Sequence, residues 1–185
     1  MKTKKSGQVR RVEIIEAALA ILGGGPVESV TTREVAKRIG ISQPALFRHF
    51  RNRDQILISV IEYSRKALAS KIETLIASQL SALGTLEALA VMLLEHATEN
   101  PALPRLLFHN AAWGRGHPLH LPLASLVSAQ RGFAAQLTRD AQEAGDIPDN
   151  ISSDEAARLF VALLQGEILQ QNLGSNEVSS DLRGA

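Results

Sequence analysis

Two short helix-forming runs flank a single glycine in residues 31–50, TTREVAKRIGISQPALFRHF, and this pattern restricts the fold more tightly than any other stretch. Thr31 followed three residues later by Glu34 is a capping box, in which the threonine oxygen takes a first-turn amide and the glutamate reaches back. Val35, Ala36 and Ile39 then fall at helical spacing and form one apolar face. Gly40 stands where the chain must turn out of that helix, in a left-handed conformation that glycine adopts without a Cβ penalty. Ile41 plugs the turn, Ser42 caps a second helix, and Pro44 is tolerated in a first turn whose amides have no helical acceptor. Leu46 and Phe50 are needed to bury the second helix on the first. Gln43, Pro44, Ala45, Phe47, Arg48 and His49 are left to face outward.

A second helix this short and exposed suits one task, placing side chains in a DNA major groove. The same spacing also serves a plain αα-hairpin inside a helical domain, and charge separates the two readings. Residues 1–53 hold eleven Lys and Arg against four Glu, a net of +7, whereas residues 54–185 carry a net of −6. A basic segment beside an acidic one is the footprint of a polyanion partner for the first segment alone.

With 185 residues, 45% of them hydrophobic, the chain can bury a substantial core, and wholesale disorder is excluded. The sequence has no cysteine, so disulfides and thiolate metal sites are ruled out, in keeping with a reducing cytoplasm. No apolar run approaches the ~18–20 residues that span a bilayer. VEIIEAALAIL near the start is interrupted by Glu13 and Glu16 and reads as an amphipathic helix, not a signal core. The expectation is a cytoplasmic protein with no membrane partner.

Elsewhere the pattern is helical throughout, and the fold class is all-α with roughly eight helices. Lys2, Lys4 and Lys5 form a basic arm within residues 1–7, positioned for a phosphate or minor-groove contact. Val12, Ile15, Leu19 and Leu22 predict a first helix over residues 8–22, stopped by Gly23, Gly24 and Gly25 and barred from restarting by Pro26. Asn52 and Gln55 form a second capping box, opening a helix of about seven turns from Arg53 through Ile56, Val60, Ile61, Leu68, Ile72, Leu75 and Ile76. That helix starts beside the helix–turn–helix and ends well away from it. Gly84 and Thr85 are expected to end the next connection and cap a helix over residues 86–98. Asn100-Pro101 breaks it, and a short helix ends near Trp113. Residues 114–118, GRGHP, are a loop, and Pro122 is expected to open a helix to about Ala144. Gly145 ends it. Ser152 with Glu155 is a third capping box, starting a last helix to about Gln171 whose apolar positions are Ala156, Leu159, Phe160, Leu163, Leu164 and Ile168. Residues 174–185 lack periodicity and read as a disordered tail.

This arrangement resembles the TetR (tetracycline-repressor-like, TetR/AcrR) family of transcriptional regulators. The likeness is carried by Val35-Ala36 and Gly40, then Ile41-Ser42, then Leu46-Phe47 with His49-Phe50, then Asn52-Arg53-Asp54 opening a long helix. It is dense over residues 8–60. In the C-terminal half it continues as helix order, with Gly145-Asp146-Ile147, Ala156-Ala157 and Gly166. The resemblance implies a DNA-binding domain over residues 1–53 and a C-terminal ligand-binding and dimerisation domain over residues 54–173. By position, Thr31, Thr32 and Arg33 would approach phosphates, as would Arg53, which stands where the family usually has lysine. Gln43, Pro44, Ala45 and Phe47 would lie near base edges, with Arg48 and His49 beside backbone or base, and Ser42 belongs to the same DNA-binding set. Phe47 replaces the family's usual tyrosine and has no hydroxyl for a phosphate, and Pro44 and Ala45 offer no side-chain hydrogen bond. Direct readout then falls on Gln43, Arg48 and His49, each good base contact contributing about 1–3 kcal/mol.

The resemblance further implies a homodimer through the last two helices, a palindromic operator in double-stranded DNA, and a small-molecule inducer. The apolar faces of those two helices, with Gly166 allowing close approach, suit a four-helix interface, though the same faces also suit a monomer core. Candidate pocket residues are Leu89, Met92, Leu93, His96, Leu106, Phe108, His109, Trp113, Leu126, Gln130 and Phe133, a mostly apolar wall for a hydrophobic or amphipathic ligand. Binding would shift the population toward a state with misplaced recognition helices. A constitutive or architectural DNA-binding protein of the same fold, without an inducer, is the alternative.

Nothing points to catalysis or to a cofactor. His96, His109, His117 and His120, with Glu95 and Glu99 near in sequence, are the conceivable metal-ligand set, but no H-E-x-x-H or Cys/His spacing accompanies them. There is no G-x-S-x-G, and Gly23-Gly24-Gly25 follows a helix where a nucleotide loop follows a strand. The expectations are no enzyme, no metal and no cofactor.

Overall fold

Short polar side chains set most of the helix starts, each accepting the amide three residues ahead. A computed structural model of the chain describes residues 6–172, apart from the side chains of residues 110–113. Lys2, Lys4 and Lys5, the tail from residue 174 and the Trp113 side chain therefore lie outside the described residues. The elements in order are α1 (Gly7–Gly24), a 3₁₀ turn (Val27–Ser29), α2 (Thr32–Arg38), α3 (Gln43–Phe47), α4 (Arg53–Ala77), α5 (Ala82–Glu99), α6 (Ala102–Trp113), α7 (His120–Glu143) and α8 (Ser153–Asn172). No strand occurs among the described residues. The fold is all-α, an N-terminal helix–turn–helix domain followed by a C-terminal helical domain.

The caps at Thr31, Ser42, Asn52 and Ser152 form as their spacing predicts, with oxygens accepting from Glu34 (3.1 Å), Ala45 (3.3 Å), Gln55 (2.9 Å) and Glu155 (3.2 Å) amides. Gln55 returns its Oε1 to the amide of Arg51 (2.9 Å), one residue before the position a capping box specifies. Gly40 and Gly145 close their helices at φ +68° and +79°.

Three boundaries differ from expectation. α5 begins at Ala82 because Ser81 is the cap: its Oγ accepts from the Gly84 amide (3.1 Å) and its carbonyl from the Thr85 amide (2.8 Å). Gly84 and Thr85 therefore lie inside the first turn. α1 continues through Gly23 and Gly24 to an extended Gly25. α7 begins two residues before Pro122, which the unpaired first turn tolerates.

The chain divides into two compact units, and the division falls within α4 and within α7. The first comprises residues 6–67 and 100–124. Its buried side chains include Ile14, Leu22, Val35, Leu46, Phe50, Ile56, Leu57, Ile61 and Leu106, and α6 packs on α1. The unit carrying the helix–turn–helix thus extends past residue 53, taking in the first half of α4 and all of α6. The second comprises residues 68–99 and 125–172. Its core joins Leu68 of α4, Leu86, Leu89 and Leu93 of α5, Ala134, Ala135 and Leu137 of α7, and Ala157 of α8.

Candidate nucleic-acid interface

The first unit presents α3 on a braced frame. Leu46 and Phe50 are buried, and Arg11 of α1 lies over the Phe50 ring, 4.1 Å from its centroid. The same guanidinium donates through Nη1 to the His49 carbonyl. Arg11 was not singled out from sequence; its one signal was the Arg10-Arg11 pair on a helix preceding the helix–turn–helix. Outward, Pro44 and Arg48 are exposed and Phe47 is 45% exposed, a large aromatic surface left in solvent. Gln43, Ala45 and His49 are half-buried.

Thr31 and Ser42 are exposed, but their oxygens already serve as caps. Arg33 is exposed and Thr32 half-buried. The starts of α2 and α3 meet directly: Gln43 Nε2 donates to Thr32 Oγ1 at 2.7 Å, across eleven residues. Lys37 and Arg38 extend the exposed basic surface at the end of α2.

Arg53 is placed otherwise than its expected phosphate contact suggests. Its Nε donates to the Val30 carbonyl (2.7 Å) and its Nη2 to the Val27 carbonyl (2.6 Å), so the planar fork holds the connection between α1 and α2. Arg105 of α6 acts similarly from the other side, donating to the Leu22 carbonyl and, at 3.3 Å, to that of Gly25. Those carbonyls terminate α1, where a cation also meets the negative end of the helix dipole. His109 Nε2 lies 3.2 Å from Glu28 Oε1 in the 3₁₀ turn.

The candidate ligand residues do not fall in one unit. Leu106, Phe108 and His109 belong to the first, whereas Leu89, Met92, Leu93, His96, Leu126, Gln130 and Phe133 belong to the second. Leu89 and Leu93 are core residues there, with Met92 and Phe133 packed against them. His96 is buried. That burial first, and the Lys71 ammonium second, push its imidazole below the ordinary range, against the pull of the Glu99 carboxylate. An open groove of about 410 Å³ beside α1 is lined by Arg10, Glu13, Glu16, Arg38 and Ile39 among others, and none of the eleven candidates borders it. Among the described residues there is no group of three His, Cys, Asp or Glu that would hold a metal, and no helix is long and apolar enough to cross a membrane.

A capped, glycine-turned helix pair with a short exposed second helix on a basic unit defines the class: this is a helix–turn–helix DNA-binding regulator. Residues 14–60 match the model for bacterial regulatory proteins of the tetR family, so the chain carries a TetR-family DNA-binding domain. It is 25% identical over 168 residues to the nucleoid occlusion factor SlmA of Marinomonas sp. (strain MWYL1), covering 91% of this chain and 84% of that one. It is 28% identical over 163 residues to the protein of the same name from Idiomarina loihiensis, covering 87% and 82%. The fold matches a TetR-family transcriptional regulator from Agrobacterium tumefaciens with a TM-score of 0.78 at 15% identity, over 90% of this chain and 89% of that one.

Proposed function

We infer that the protein is a cytoplasmic repressor that binds a palindromic operator as a homodimer and is released by a small hydrophobic or amphipathic inducer. The observation that carries the two-fold reading is the outer face of α8, where Leu159 and Leu163 are 57% and 74% exposed. Two leucines one turn apart with Ala162 between them, also exposed, form an apolar stripe that a symmetry mate would cover. On α7, Ser128, Ala129 and Gly132 are exposed small residues that permit close helix approach. Two-fold pairing would set the recognition helices roughly 34–36 Å apart, one DNA turn, and so favour a palindrome. Thr31, Thr32 and Arg33 would meet phosphates, with Ser42, Gln43, Pro44, Ala45, Phe47, Arg48 and His49 at or beside the groove. Leu89, Met92, Leu93 and Phe133, apolar side chains of the second unit, would form the wall for a hydrophobic ligand.

The test combines selection of bound duplexes from a random library with sedimentation of the full chain. A palindromic consensus, a dimer, and a monomer for Leu163→Arg are the expected outcomes; a selected site without two-fold symmetry sinks the dimer reading. A second reading is favoured by the curated relatives, which are named nucleoid occlusion factors. In that reading the protein acts while bound to DNA and needs no inducer. A screen of apolar small molecules for loss of duplex affinity separates the two.

A further inference from the structure

We propose that Thr32 is a positioning residue that sets the polarity of the Gln43 amide, so that the protein selects adenine at one position in each half-site. This rests on the DNA-binding reading above and specifies the partner of that same surface.

Among the residues of α3, Gln43 is the one whose side chain carries a full donor–acceptor pair. Pro44, Ala45, Leu46 and Phe47 carry neither donor nor acceptor in their side chains. One Nε2–H of Gln43 is given to Thr32 Oγ1. What remains for a base is the amide oxygen with the second N–H beside it. Adenine presents the matching pair in the major groove, its N6 amino donor next to the N7 acceptor. Guanine presents two acceptors, O6 and N7, and sets one of them against the amide oxygen.

The polarity follows from the hydroxyl. Thr31, not Thr32, caps α2, so the Thr32 oxygen is available to Gln43. Because that oxygen accepts from Nε2, the Thr32 O–H is left as a donor. In helix–turn–helix docking the first helix crosses the DNA backbone while the second enters the groove. A phosphate oxygen only accepts, so a phosphate beside Thr32 takes its proton. Turning the Gln43 amide over would then bring its oxygen against lone pairs of Thr32. A contact with the backbone, which by itself carries no sequence information, thus decides which base the neighbouring side chain reads.

The experiment compares the full chain with Thr32→Val, Thr32→Ser and Gln43→Ala by duplex-library selection, each checked for wild-type melting. Wild type is expected to select adenine at one position per half-site, and Gln43→Ala to erase that preference alone. Thr32→Val should cut adenine-over-guanine preference there on the order of tenfold and leave other positions unchanged, whereas Thr32→Ser retains it. Uniform weakening by Thr32→Val with an unaltered base profile, or guanine at the Gln43 position, overturns the proposal. A wild-type chain that selects no sequence at all overturns the DNA-binding reading with it. Should Thr32→Val unfold, 7-deazaadenine at the same position tests wild type directly. Weakening of about tenfold is expected, and unchanged affinity refutes the adenine contact.

Discussion

Replacing Arg53 distinguishes a phosphate ligand from a structural brace, because the two roles predict opposite results in two assays. Its guanidinium donates to the carbonyls of Val27 and Val30, both residues almost fully buried. In Arg53→Ala the Val27 carbonyl still accepts the Val30 amide (3.2 Å), so the Val30 carbonyl bears most of the loss. A hydrogen bond to a charged donor contributes about 1.5–3 kcal/mol, and retention of one partner at Val27 sets the total near 2–3 kcal/mol. For a chain of this length that lowers the melting midpoint by about 5–10 °C. Arg53→Lys keeps the charge but lacks the planar fork, so most of the loss should persist. The second assay is the salt dependence of duplex affinity. Each phosphate contact contributes about 0.9 to the slope of log K against log salt, and a guanidinium committed to two carbonyls contributes little. The expected result is a destabilised protein that binds less tightly with an unchanged slope. Unchanged melting with a slope shallower by about one would refute the bracing argument and restore Arg53 to the phosphate backbone.

Gly40→Ala should cost about 1–2 kcal/mol, since φ is +68° and an added Cβ meets no atom within 4 Å, leaving backbone strain as the whole penalty. Thermal melting checks it, and an undiminished midpoint would show that the turn relaxes. His96 predicts a pH dependence. Its folded pKa lies below the ordinary value of 6.5, so the unfolded chain takes up the proton first. Its contribution to stability is therefore intact above about pH 6.5 and lost as pH falls through the folded pKa. Melting of wild type from neutral pH to pH ~5 should decline more steeply than melting of His96→Gln, and parallel curves would remove His96 as the cause.

The helix–turn–helix was legible because its determinants are neighbours in sequence. Thr31 with Glu34, Ser42 with Ala45 and Gly40 at its turn act over three or four residues, and apolar spacing alone assigns Val35, Leu46 and Phe50 to the interior. Where a local signal had two readings the result was less certain. Gly84 and Thr85 read as the end of a connection and the cap of the next helix, yet the Gly84 amide is the one that Ser81 caps. In α8 a broad apolar face did not reveal which half would be covered. Ala157 and Val161 are buried, whereas Leu159 and Leu163 face outward.

By itself, then, the sequence determined an all-α chain with the capped starts at Thr31, Ser42, Asn52 and Ser152, its glycine turn, its basic N-terminal segment and the family they point to. The tertiary structure decided where the long polar side chains end. Arg53 reaches carbonyls 23 and 26 residues away, Gln43 reaches Thr32 across eleven, and Arg105 reaches Leu22 across 83. It also decided that α6 joins the DNA-binding unit and that Arg11 braces the end of α3. The physical reason is reach. A cap or an apolar stripe is satisfied within one or two helical turns, so spacing encodes it. A guanidinium or amide on a long stem bonds whichever acceptor folding brings near, and only packing selects it.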